Sequence, residues 1–365
     1  MSPVSTVVVK IGTSSITRDD STALDEAAMR KLIADVAATR ALGHRVVLVS
    51  SAAIAAGMHK LGLDTRPRDF ESLQALSAVG QIELMQEYDR ACGSHGFTCG
   101  QVLLAPPDFF ARARYLRARS CIEQQWSLGV LPIINENDAV ADDAIRFGDN
   151  DRIAALVAHL VRADLLVLLT DTAGLLTADP RIDEGASLIE EIQLVDRELE
   201  AMAGGASSTM SQGGMASKLS AAKIASWSGV DAVIAAAHRP NVLADAVGGA
   251  AGVGTLVRAR RERLPARKLW IAFALPSEGT ITVDAGARAA LLGAGGSLLA
   301  VGVTDAAGGF ASGDAVEVAG PDGEVFAKGL VAHPVDEVRG SIGERAVEVI
   351  HRDDFVVLPE AVRSG

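Results

Sequence analysis

Long hydrophobic runs are missing from this chain of 365 residues, although 49% of them are apolar and the mean hydropathy is +0.25. No uninterrupted apolar stretch approaches the roughly 18–20 residues that a membrane-spanning helix needs, so no membrane association is expected. Cysteine is scarce as well. Cys92, Cys99 and Cys121 are odd in number and lack metal-site spacing, which argues against a disulfide framework and leaves reduced, packed thiols. Nor is there a surplus of basic charge. Lys and Arg number 34 against 46 Asp and Glu, a formal net charge of −12 that opposes general attraction to nucleic acid or anionic membranes. A small lysine-lined site for an anionic substrate stays open, because local charge dominates there. The start of the chain, MSPVSTVVVKIG, enters a strand-like run with no cationic leader before an apolar core, and a cytoplasmic protein is expected. No repeat with a period of roughly 20–50 residues is visible.

What is present is an alternation of two periodicities. Val4–Ile11 is a β-branched run suited to a buried parallel strand. Leu24, Ala28, Leu32, Val36 and Ala37 follow at helical spacing, with Gly43 as a helix stop. Val46–Val49 reads as a second strand, leading through Ser50-Ser51 into a small-residue helix at Ala52–Met58. Further strand-like runs occur at Val102–Leu104, Val130–Ile134, Leu165–Leu169 and Val230–Ala235, with helical patterns between most of them. Such alternation predicts an α/β fold around a mainly parallel sheet, with ligands at the carboxyl ends of the strands. The pattern changes after the charged, proline-containing segment Arg258–Arg267. Short strand-like pieces follow at Gly279–Val283, Ala315–Val318 and Phe355–Leu358. A first domain at 1–257, a linker at 258–275 and a small β-rich domain at 276–365 are expected. The last segment holds 6 Lys and Arg against 14 Asp and Glu, a net of −8 and most of the chain's negative charge.

The stretch Ile134–Asp151, INENDAVADDAIRFGDND, concentrates short polar side chains in two clusters, Asn135-Glu136-Asn137-Asp138 and Asp149-Asn150-Asp151. Asp and Asn are poor helix and strand formers because they compete for backbone hydrogen bonds. They are well suited to holding an ammonium group, a metal, or a lysine that must point at a phosphate. Two lysines fit the last role. Lys10 stands in the first apolar strand, where an ammonium needs either a partner or a route to the surface, and Gly12-Thr13-Ser14-Ser15 after it offers N–H groups and hydroxyls. Lys218 closes Gln212-Gly213-Gly214-Met215-Ala216-Ser217-Lys218, whose paired glycines permit close backbone approach to a ligand. It is not a P-loop, which requires Gly directly before the Lys and Ser or Thr directly after. Read alone, it is equally a loop before a helix. Thr170-Asp171 follows the strand at Leu165–Leu169 and opens a shaped turn.

Together, VVKIGTSS, the turn at Ser50–Ala53, INENDAV, FGDND, LLTDTAGLLTADPR and GGMASK resemble, in order and spacing, the glutamate 5-kinase family of the amino-acid kinase superfamily. The terminal part, with VIHRDDFVV, is similar to the PUA domain that bacterial members carry. The resemblance implies an amino-acid kinase fold, an αβα sandwich, followed by a PUA domain. It implies phosphorylation of the L-glutamate side-chain carboxylate by ATP, with Mg²⁺ arriving on the nucleotide and no dedicated protein metal site. Lys10 and Lys218 match the lysines that neutralise the transferring phosphoryl group, and Asp151 the carboxylate that holds them. Ser51, Ala52, Asn135, Asp138, Asp149 and Asn150 match amino-acid-binding positions. Lys10, Gly12, Thr170, Asp171, Gln212, Gly213, Gly214, Met215, Ala216, Ser217 and Lys218 match nucleotide-binding positions. Proline feedback inhibition and assembly into a dimer or tetramer are implied in the same way. The chemistry suits the composition: a carboxylate of pKa about 4.3 is already an ionised nucleophile near neutral pH, so no histidine base is required.

The chain departs from the family pattern at Ala52, where Ser-Gly-Ala is usual, and at Ser211-Gln212, where Gly-Thr is usual. Arg117 replaces Asn in Leu-Asn-Ala-Arg, and Leu73 replaces a common Lys. Two other readings therefore stand beside a glutamate kinase. One is a paralogue phosphorylating a glutamate-like acid. The other is a non-catalytic PUA-type RNA-binding or regulatory protein, against which the tail's net charge weighs.

Overall fold

The computed structural model describes residues 5–18, 21–109, 111–140, 150–178, 185–203, 214–273 and 275–358. The chain divides into two compact units, 1–263 and 264–365. In the first, the strands are β1 (Thr6–Ile11), β2 (Arg45–Val49), β3 (Cys99–Leu104), β4 (Leu131–Glu136), β5 (Leu165–Thr170), β6 (Glu191–Ile192), β7 (Asp231–Ala236) and β8 (Thr255–Val257). They form one sheet in the order β3-β4-β2-β1-β5-β7-β8-β6. All neighbours are parallel except β7 and β8. After β4 the chain crosses to the other side of β1 to form β5. The strand order therefore reverses at β1, and ligands favour the carboxyl ends of the strands at such a point.

The helices are α1 (Glu26–Ala41), α2 (Ala53–Lys60), α3 (Phe70–Gly93), α4 (Arg112–Ser127), α5 (Asn150–Val161), α6 (Arg197–Ala203), α7 (Met215–Trp227) and α8 (Val242–Gly248). Side chains alternate along β1. Val7, Val9 and Ile11 join a core with Leu32, Ile33 and Val36 of α1, Leu84 and Tyr88 of α3, and Val242 and Leu243 of α8. The intervening Lys10 is thereby turned to the opposite face, where it meets α5. That period-two alternation explains how a lysine lies within a strand whose every residue is buried.

Helices α2 and α3 touch backbone to backbone. A Cβ on Gly80 would lie 1.8 Å from the Ala53 carbonyl oxygen, and one on Gly57 2.0 Å from that of Leu76. Only glycine permits this approach, and it brings the face of α3 bearing Ser77 and Gln81 toward the end of β4.

Ala52, the N-cap of α2, has φ +80° and ψ 5°. A Cβ in this left-handed region costs about 1–2 kcal/mol, against roughly 0.5–1 kcal/mol of extra chain entropy that a glycine loses on folding. Ala52→Gly should therefore raise the melting temperature of the ligand-free protein by about 2–4 °C, since each kcal/mol is worth about that much in a unit of this size. A calorimetric midpoint that stays level or falls would refute the strain argument.

The second unit has its own core, including Phe310, Phe326 and Phe355. Its elements are α9 (Ala266–Phe273), β9 (Gly279–Val283), α10 (Ala285–Ala294), β10 (Leu298–Leu299), β11 (Val303–Gly308), β12 (Ala315–Ala319), β13 (Val325–Leu330), α11 (Val335–Gly340), β14 (Glu348–Ile350) and β15 (Phe355–Val357). A five-stranded sheet runs β11-β9-β12-β13-β15, and β10 pairs with β14. Much of the segment expected to be a linker is thus helix α9, whose Leu269 and Ile271 are buried.

Candidate active site

The polar clusters meet at the carboxyl ends of the strands. Asn135 and Glu136 are the last two residues of β4, and Asn150 and Asp151 open α5. The Asp151 carboxylate lies between the two lysines. Its Oδ1 is 2.7 Å from Lys10 Nζ, and its Oδ2 is 3.4 Å from Lys218 Nζ. Ser217 Oγ donates to the same Oδ2 at 3.0 Å. Side-chain exposure is 4% for Lys10, 6% for Lys218 and 1% for Asp151. Charges so far removed from water require close pairing, which Asp151 supplies to both lysines at once. Lys10 comes from β1, Asp151 from α5 and Lys218 from α7, so three distant chain segments converge.

The amides form a second network. Asn150 Nδ2 donates to Ser51 Oγ at 3.2 Å and to Asn135 Oδ1 at 3.1 Å. Asn135 Nδ2 donates to Gln81 Oε1 at 2.8 Å, and Gln81 Nε2 to Gln101 Oε1 at 3.3 Å. Oδ1 atoms of Asn135 and Asn150 both accept from the Glu136 N–H, at 2.9 and 3.3 Å. Asp138 stands in the short 3₁₀ turn after β4, where its Oδ2 accepts from Ser77 Oγ at 2.5 Å. Burial pushes the Asp138 carboxyl above the usual carboxylate range, while the Ser77 hydrogen bond and the Arg66 charge pull the other way. Gln81 and Ser77 carry no motif that would mark them in the sequence. They are found only because α3 packs so closely on α2.

Further nucleotide-binding candidates surround the lysines. Gly12 follows β1, and a Cβ there would stand 3.6 Å from Lys10 Nζ. Thr170 ends β5 and donates through Oγ1 to Asp171 Oδ1 at 2.9 Å. Gly214 is the N-cap of α7, with Met215, Ala216 and Ser217 in its first turn. First-turn N–H groups have no intrahelical acceptor and point along the helix axis, an arrangement that suits phosphate oxygens. The turn after Asp171 is held by Thr255, whose Oγ1 accepts from the Leu175 N–H at 2.8 Å. Thr255 is a second residue without a sequence signal. Asp149, Gln212 and Gly213, together with Ser211, lie outside the described residues. Arg117 is exposed on α4, and Leu73 packs against Ile54, Met58 and Leu76.

The donor set suits a polyanion held by two ammonium groups and a helix N-terminus. Residues 5–236 match the Amino acid kinase family. The chain belongs to that family. Residues 279–352 match the PUA domain. The chain is 46% identical over 364 residues to the glutamate 5-kinase of Burkholderia multivorans, covering 96% of this chain and 97% of that protein. The glutamate 5-kinase of Burkholderia cenocepacia gives the same identity and coverage. Among solved structures, carbamate kinase from Giardia lamblia bound to AMP-PNP has a TM-score of 0.51 at 17% identity, over 71% of this chain and 100% of that one. At that identity the likeness shows the shared amino acid kinase fold.

Proposed function

We propose that the protein transfers the γ-phosphoryl group of ATP to the side-chain carboxylate of L-glutamate, giving L-glutamyl 5-phosphate for proline biosynthesis. The observation that carries this reading is the Asp151 carboxylate held between Lys10 and Lys218 where the strand order switches. The near-full-length identity to glutamate 5-kinases supports L-glutamate over a glutamate analogue or a non-catalytic role.

Both reactants are anionic, so positioning and positive charge have most of the work to do. Lys10 and Lys218 neutralise the phosphoryl oxygens, and Asp151 keeps both ammonium groups aimed without sharing in the reaction. The first turn of α7, with Gly214–Ser217, and Thr170-Asp171 cradle the nucleotide, as do Gln212 and Gly213. Asp138 takes the α-ammonium, while Asn150, Asn135, Asp149 and the turn at Ser51-Ala52 hold the rest of the amino acid. The attacking carboxylate is ionised at neutral pH and needs no base. Among the described residues no group of three or more His, Cys, Asp or Glu side chains is arranged to hold a metal. Mg²⁺ favours phosphate oxygens and water over a full protein cage, so it would arrive on ATP and supply charge neutralisation there. Among the described residues no helix is long and apolar enough to cross a membrane. A cytoplasmic location, a homodimer or homotetramer, inhibition by proline, and domains at 1–257 and 276–365 complete the proposal.

Coupled ADP release with ATP, Mg²⁺ and L-glutamate, set against glutamate analogues and no acceptor, tests the reaction. Turnover that prefers an analogue, or that ignores glutamate, would overturn it. Adding proline to the same assay tests the inhibition.

Asp138 gives a pH-dependent prediction. Its folded carboxyl is raised, so its contribution to stability is complete below the unfolded carboxylate range and is lost as pH rises through the folded value. Near neutral pH the ionised group thus destabilises the ligand-free fold, and an ammonium ligand reverses this. Asp138→Asn should raise the ligand-free melting temperature at pH 7, with the gain shrinking in acid. Loss of one charge-assisted hydrogen bond, about 1.5–3 kcal/mol, should raise the KM for glutamate by about 10- to 150-fold. A lower melting temperature at pH 7 together with an unchanged KM would rule out this role.

A further inference from the structure

An open surface pocket of about 360 Å³ is lined by Arg162, Arg260, Arg261 and Arg263, with Asp164 and Asp231. It lies where β5 and β7 begin, at the opposite end of the sheet from the lysines. In a chain of net charge −12, four arginines lining one pocket, three of them exposed to solvent, require a reason. Ion pairing does not provide it. Neighbouring Arg258 pairs with Glu191 and Asp231, whereas among the described residues none of the four lining arginines has a carboxylate within ion-pair distance. The two lining carboxylates are engaged by the backbone. Asp164 Oδ2 accepts from the Thr6 N–H at 2.7 Å, and Asp231 Oδ1 from the Ala259 N–H at 2.6 Å.

Neutral groups set the arginines in place. Arg260 stacks over the Trp227 ring at 4.4 Å, and Arg263 donates through Nε to the Ser228 carbonyl at 2.6 Å. Gly229, at φ +69°, leaves room for that side chain, since a Cβ there would lie 2.5 Å from Arg263 Cγ. Arg162 stands in the left-handed region at φ +53°, where glycine or asparagine is the ordinary residue. A strained arginine at a helix end points to a use for its guanidinium. The C-terminal ends of α5 and α7 each bring roughly half a unit of negative charge here, which four cations exceed. The local field is felt nearby: burial, then Arg263 and Arg162, hold His159 down to about 4.

We propose that this arginine-lined pocket is a second binding site, separate from the phosphoryl-transfer site, for an anion carrying two linked phosphate groups. Planar guanidinium forks match phosphate oxygens in bidentate fashion, and four arginines lining one pocket suit two phosphates better than one. The bound anion would sit at the far ends of α5 and α7, the helices whose first turns bear Asp151 and Lys218. Inorganic pyrophosphate and the diphosphate of a nucleotide share this chemistry.

Trp227 is the local reporter. In the full-length chain with Trp126→Phe and Trp270→Phe, Trp227 is the remaining tryptophan. Titration with inorganic pyrophosphate should produce a saturable change in its emission that weakens with added salt. Arg162→Gly should weaken binding about tenfold or more, the loss of one charge-assisted contact. Because glycine accepts the left-handed backbone, that variant should melt at or above the parent temperature, which separates lost binding from lost folding. Adding Arg261→Ala should abolish the response, and Lys218→Ala should leave it intact. ADP binding within a few-fold of pyrophosphate assigns recognition to the diphosphate alone, whereas ADP binding without pyrophosphate binding overturns the proposal. So does the lack of a saturable response, a response indifferent to the arginine substitutions or lost in Lys218→Ala, or binding confined to an RNA oligonucleotide.

Discussion

Lys218→Ala should lower kcat for glutamate phosphorylation by about 10²–10³-fold while the KM values for both substrates change only a few-fold. Removing one preorganised donor to a developing negative charge costs that much when the donor acts in the transition state. Lys218 meets the structural conditions. Its Nζ is buried, is positioned by Asp151 at 3.4 Å, and stands one turn into α7. An interaction made in the transition state lowers kcat and kcat/KM together, whereas a ground-state contact raises KM alone. Steady-state kinetics with glutamate and ATP varied in turn decides the matter. A large rise in either KM with kcat preserved would move Lys218 from transfer to substrate binding. Lys218→Arg tests the geometry, because a planar fork cannot replace a compact ammonium on Asp151 without displacing it. Recovery of full turnover by arginine would show that charge alone suffices.

Asp151→Ala should have the largest effect on stability, lowering the melting temperature of the kinase unit by roughly 6–20 °C and abolishing measurable turnover. The substitution removes the carboxylate shared by two ammonium groups whose side chains are 4% and 6% exposed. Breaking a buried pair costs about 3–5 kcal/mol, and about 2–4 °C accompanies each kcal/mol in a unit of this size. ATP with Mg²⁺ should recover part of the loss, because the nucleotide brings negative charge to the same lysines and binds the folded state alone. Differential scanning calorimetry with and without nucleotide reads both effects. A melting temperature within 2 °C of the parent would show that the lysines do not depend on Asp151. A loss of stability that nucleotide fails to reduce would show that the lysines do not meet the phosphates.

Much of the site was legible because its chemistry is local in sequence. Lys10 stood out as a charge inside a β-branched run, and Asn135–Asp138 and Asn150-Asp151 as polar clusters beside apolar ones. The resemblance to family motifs implied roles for them. Ala52 stood out too, but only the backbone shows what the substitution does, since φ +80° puts a Cβ where glycine would be unstrained. Ser77, Gln81 and Thr255 were invisible for another reason. Each acts on a residue between 54 and 80 positions away, through one or two hydrogen bonds. A Ser, Gln or Thr in a helix or strand has no pattern that announces a partner so distant. The short strands β6 and β8 escaped as well, being too brief for alternation to register. Helix α9 was hidden by the charges and proline around it, which resemble those of a linker.

Periodicity determined the α/β class and the parallel sheet, and the polar clusters and family motifs singled out the two lysines, because each is written within a few consecutive residues. Tertiary structure alone decided that one carboxylate serves both lysines, that α3 holds Asn135 and Asp138 from behind, and that four arginines line a pocket at the opposite end of the sheet. Those facts depend on the order of strands around β1 and on glycine-mediated contact between helices. Both bring together residues from distant segments, and no spacing along the chain encodes a distance across the fold.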